Sequence, residues 1–192
     1  MLEGTYGYQH MARMVVESEG VSFESMHLPQ GVAIFDGGSL TMSKCTSTGD
    51  NIHVRGGGSL VMEDTRVFGT NGHGVWCEGG VKMTRCTVEG NSHSGVYVHG
   101  EHNAAELVDC EIRKNRANGM FVSADKATLR GGVISENKGG GVIVWGGKVT
   151  VAKAEKGMPQ TVTKDNTPHD WRTMDEASEM IGIPQVHTVA NW

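Results

Sequence analysis

Between residues 14 and 151 the chain places apolar residues in very short runs, apolar-x-apolar, each broken by Gly, Asn, Asp or Ser. That is the period of a strand with one buried face, and each run is too short for a helix. The runs also recur. A Gly or Asn followed by apolar-x-apolar reads Asn51-Ile-His-Val54, Gly74-Val-Trp-Cys77, Gly95-Val-Tyr-Val98, Gly119-Met-Phe-Val122 and Gly141-Val-Ile-Val144, with weaker copies at Val32-Ala-Ile34 and Met14-Val-Val16. A second strand is expected after each first one, at Val21/Phe23, Leu40/Met42, Leu60/Met62, Val81/Met83, Ala105/Leu107, Ala127/Leu129 and Val149/Val151. A third lies near Cys45, Thr65-Arg-Val67, Cys86-Thr-Val88, Cys110-Glu-Ile112 and Gly132-Val-Ile134. Asn71, Asn91, Asn115 and Asn137 then mark the corner back, and three of the four read Asn-x-x-x-Gly into the next first strand.

Three short strands per period of roughly 22 residues, with no helix-length segment inside a period, exclude a leucine-rich repeat and leave a parallel β-helix. Its coils stack about 4.8 Å apart, so equivalent residues pile into ladders along the axis. The pattern over residues 12 to 152 resembles the right-handed parallel β-helix, or pectin-lyase-like, superfamily, with the short coils of carbohydrate-binding and sugar-hydrolase (CASH) domains as its nearest likeness. The resemblance implies an all-β fold of about seven coils with three strands each. It does not choose a function, because the superfamily includes lyases, hydrolases, epimerases, tailspike parts and intracellular binding domains.

The ladders assign several residues. Cys45, Cys86 and Cys110 share one inward position and behave as small buried hydrophobes. The corner asparagines are expected to adopt the left-handed conformation and to hydrogen-bond along a ladder. Residues 1–13 are expected to cap one end of the helix over 14–152. Residues 153–192 are expected to form a non-repeating C-terminal cap or flap. Within it, Thr173 and Glu176 have capping-box spacing, and Met174, Ala177, Met180 and Ile181 would form one apolar face of a short helix. Thr167-Pro-His-Asp170 in this tail is similar to the Asp-Pro-His-Asp/Glu motif of alginate C5-epimerases. It has Thr for the leading Asp and falls after the coils, so it is set aside as a site.

Composition narrows the function. The net charge of the 192 residues is −5, which lacks the basic footprint of a nucleic-acid binder. No apolar run is long enough to span a membrane, and no secretory leader is visible. Four cysteines without a CxxC pair argue against zinc or a disulfide framework, and if reduced they favour an intracellular setting. Neither a metal nor another cofactor is expected. His73 and His93 sit at neighbouring corners with no third ligand apparent.

Strand alternation exposes two columns of the first strand. One runs Val15, Ala33, His53, Trp76, Tyr97, Phe121, Ile143, and the other Glu17, Phe35, Arg55, Glu78, His99, Ser123, Trp145. The candidate ligand-binding residues are therefore Phe35, His53, Trp76, Tyr97, Phe121 and Trp145, an aromatic stripe suited to stacking on sugar rings or to burial against a protein partner or a second copy of the chain. If the face is catalytic, Arg55 could neutralise a uronate carboxylate, while Tyr97 and His99 exchange the C5 proton and Glu78 tunes His99. Hydrolysis is disfavoured, because it needs two carboxylates and only Glu78 projects from the central coils. The leading expectation is a non-catalytic binding or scaffold module for a polysaccharide or protein. The alternatives are a small uronate lyase or epimerase and a structural, fibre-like oligomer.

Overall fold

The structure, a computed structural model, describes residues 13–152, 160–174 and 178–183. Every strand pairing in it is parallel, and each strand pairs with the equivalent strand one coil away, so the chain is a parallel β-solenoid. The first face contains Met14–Val16, Val32–Ile34, Ile52–Val54, Val75–Cys77, Gly140–Val144 and Trp171–Thr173. The two long strands Val96–Val108 and Asn118–Arg130 pass through the corner and serve both the first and second faces. The third face is a separate seven-stranded sheet.

The inward positions are those of the apolar-x-apolar pattern. Val32, Ile52, Val75, Val96, Met120 and Val142 form one fully buried ladder, and Ile34, Val54, Cys77, Val98, Val122 and Val144 form the next. The second face contributes Leu40 and Met42, Leu60 and Met62, Val81 and Met83, and their successors. Each fully buried side chain of this kind stabilises the fold by roughly 1.5–3 kcal/mol, so the core is spread evenly along the axis rather than concentrated in one centre. All four cysteines are free and buried, and burial pushes the Cys77 thiol up to about 12.

The corner into the first face is held by a buried asparagine ladder. Asn115 Oδ1 accepts from the backbone N and the Nδ2 of Asn91, while Asn115 Nδ2 donates to Val88 O and to Asn137 Oδ1. Asn137 repeats the arrangement with Asn166. The ladder departs from expectation in three ways. Asn71 is exposed, and Thr70 fills the slot in that coil, its backbone N donating to Asn91 Oδ1. The left-handed residues are not the asparagines but those before them, Gly90, Lys114, Glu136 and Asp165, which turn the chain so that each Asn points inward. Finally, Asn166 belongs to the ladder although it lies in the tail. The Asn-x-x-x-Gly spacing also gains a physical reason: a Cβ on Gly95 would come within 2.8 Å of Asn115 Nδ2, and one on Gly119 within 2.7 Å of Asn137 Nδ2.

The expected helix over 173–181 is not present among the described residues. Trp171–Thr173 pairs with Val142–Val144, and Glu179–Ile181 pairs with Lys148–Thr150, both as parallel strands. Val162–Lys164 joins the third sheet. Met180 faces the core in register with Val149, so the apolar spacing that suggested a helix is satisfied by an edge offering unpaired backbone groups. Ala177 and residues 1–12, the expected N-terminal cap apart from Arg13, lie outside the described residues.

Candidate functional site

The first-face columns have the expected register. His53, Trp76, Tyr97 and Phe121 stand side by side on successive coils, with Ile143 and then Arg172 beyond them. Coil spacing brings their rings together into one chain of contacts. His53 stacks on Trp76 with centroids 4.6 Å apart, and Trp76 meets Tyr97 edge-on at 5.9 Å. Tyr97 stacks on Phe121 at 5.5 Å, and Phe121 meets Trp145 edge-on at 6.4 Å. His73 reaches in from the corner and stacks on Tyr97 at 4.5 Å.

This geometry changes what the stripe offers. Stacked rings present their edges outward and hide their faces against one another. Tyr97 has Phe121 and His73 on its faces, and Trp76 carries His53. Trp76, Tyr97 and Phe121 are accordingly half-buried, and His53 is buried. Trp145 differs: its ring is turned 71° to Phe121 and is 56% exposed. Met174, also exposed, lies beyond it on the next coil, its backbone N bonding to Val144 O. Trp145 is therefore the broad exposed platform of the stripe. Phe35, at the other end, lies under the Arg55 guanidinium, 4.7 Å from its centroid.

The acid–base candidates are not brought together as the uronate reading requires. Glu78 Oε2 is 3.0 Å from His53 Nε2, so its bond is to His53 rather than His99. His99 stacks against Tyr97 at 5.8 Å. Arg55, Glu78 and His99 lie on three successive coils, so the cation and the proposed proton carriers Tyr97 and His99 are two coils apart, about 10 Å. Burial lowers the His53 pKa, and the hydrogen bond to Glu78 opposes that shift. Burial, helped by the neighbouring His93, pushes His73 down to about 4. The His73 and His93 rings are 5.2 Å apart, yet His73 Nδ1 is buried without a partner, and no group of three or more metal-ligating side chains occurs among the described residues.

Thr167-Pro-His-Asp170 lies within a coil, not after the coils, and precedes the strand Trp171–Thr173. Asp170 takes the place of the glycine in the Asn-x-x-x-Gly pattern. Its Oδ1 accepts from Asn166 Nδ2 at 2.7 Å and so terminates the asparagine ladder. That is a structural duty the sequence pattern did not reveal.

The family model of the right-handed β-helix region matches residues 14–123 and 76–155. Among solved structures, the periplasmic alginate epimerase AlgG superposes with a TM-score of 0.60 at 14% identity, covering 83% of this chain and 47% of that one. This chain thus spans about half the length of that protein, and the likeness is one of fold. None of the curated proteins compared matches the sequence.

Proposed function

The chain belongs to the right-handed β-helix family, and on that premise we propose that it is a binding module whose first face seats a polysaccharide at Trp145. The observation that supports this reading is the exposed Trp145 ring at the end of an otherwise self-covered aromatic stack. A flat apolar face beside polar strand ends suits a pyranose ring, which has apolar C–H faces and hydroxyl edges. The similarity of fold to an alginate epimerase is compatible with a glycan ligand. Catalysis is the weaker reading, because Glu78 is engaged by His53 and the cation stands apart from the proton carriers. A structural oligomer would instead bury Trp145 against a second copy.

Affinity electrophoresis and calorimetry with polygalacturonate and dextran test the proposal. Parent protein is expected to bind at least one of the two. Trp145→Ala is expected to weaken that binding at least tenfold, whereas Tyr97→Phe and His99→Ala leave it intact. Retention of full affinity in Trp145→Ala would overturn the placement, and accumulation of unsaturated or C5-inverted product would replace binding with catalysis.

A further inference from the structure

The cations of this acidic protein are divided unequally among its faces. On the second and third faces and the corner between them, most are neutralised in place: Arg66 and Arg113 by Glu89, Lys82 and Arg130 by Glu106, and Arg85 by Asp64 and Glu63. Around Trp145 they are not. Arg116, Lys138 and Arg172 are all exposed, and none forms an ion pair among the described residues.

The register places these three about one platform. Lys138 lies on the coil of Trp145, at the opposite end of the strand Gly140–Val144. Arg116 precedes Lys138 by one coil, since their backbone N–H groups donate to Asn91 and Asn115 in turn. Arg172 stands beside Ile143 on the following coil. The neighbouring carboxylates are mostly engaged: Glu136 with Lys114, Asp170 with Asn166, and Glu179 with Lys148. Asp165 is the exception. Three unneutralised cations within three coils on a chain of net charge −5 make a local positive field that attracts anions at moderate ionic strength. Lys126 and Lys164 also lack carboxylate partners, but they sit apart on the other faces.

Resting on the binding role proposed above, we infer that the ligand is a polyanionic polysaccharide, one sugar ring on Trp145 and its carboxylate or sulfate groups met by Arg116, Lys138 and Arg172. The ring supplies stacking common to all sugars, and the cations supply selectivity for charge.

The full chain is titrated with polygalacturonate, dextran sulfate and neutral dextran at 50 and 500 mM NaCl. One variant combines Arg116→Gln, Lys138→Gln and Arg172→Gln, and a control combines Lys126→Gln and Lys164→Gln. Polygalacturonate or dextran sulfate is expected to bind at least tenfold more tightly than dextran, to weaken about tenfold at the higher salt, and to weaken similarly in the triple variant but not in the control. The two acidic probes separate carboxylate from sulfate recognition. Equal affinity for dextran and the acidic chains, unaffected by the triple variant, would overturn the charge inference and leave glycan binding standing. Equal losses in the variant and the control would reduce it to diffuse attraction and overturn it as well. Absence of binding to all three, in protein with an unchanged thermal transition, would overturn the underlying binding role.

Discussion

Two ladders climb the same axis, and they differ in what holds them. The asparagine ladder is interior and directional: each amide both donates and accepts, and its far end is closed by Asp170. The ring ladder is at the surface and non-directional, and at its far end Trp145 is turned away and left to solvent. A saturated ladder has nothing left to bind with, whereas an open-ended one does. The asparagines therefore specify coil stacking, and the rings both stabilise their face and present its last member.

The comparison breaks most severely at the middle of the asparagine ladder. Asn115→Ala removes the acceptor for both Asn91 donors and the donor to Val88 O, leaving several buried polar groups unpaired. The expected loss is roughly 3–5 kcal/mol, seen as a lower urea midpoint with an unchanged slope. Trp76→Ala is expected to cost less, about 2 kcal/mol, because the ring is half-buried and contributes stacking on His53 rather than a network. A loss in Trp76→Ala equal to that of Asn115→Ala would erase the distinction between the ladders. Trp145→Ala is expected to change stability by less than about 0.5 kcal/mol in the same titration while weakening the ligand.

Much of this was legible in the sequence, for a stated reason. Period-two alternation fixes which side chains share a column, so the inward ladders and both first-face columns follow from residues such as Ile52, Val75 and Val96. Side-chain torsion is not in the pattern. Column membership put Trp76, Tyr97 and Trp145 on one face but could not tell stacked rings from a turned one. The corner was misphased by one residue because the left-handed position is occupied by Lys114, Glu136 and Asp165, side chains with no compositional signal for it. The tail was read as helical because Met174, Ala177, Met180 and Ile181 fit a 3.6-residue period. Edge pairing decided otherwise, since the preceding coil offers Val144 and Val149 as partners for the added strands.

Acid distinguishes the ladders most finely. Burial, with help from His93, holds His73 neutral down to about pH 4 from an ordinary value of 6.5, and burial shifts His53 in the same direction against the pull of Glu78. Because the unfolded chain takes up these protons first, the contribution is complete above about pH 6.5, declines as pH falls toward 4, and changes no further below that. The asparagines carry no such group. Comparing unfolding free energies at pH 7 and pH 4.5 in the parent and in His73→Gln cancels the background from the carboxylates. The parent is expected to lose more stability between the two pH values than the variant, with a shift of a few degrees in Tm. An identical loss in both proteins would mean that the ring ladder tolerates a charged His73, and that its packing against Tyr97 is looser than the 4.5 Å stack implies.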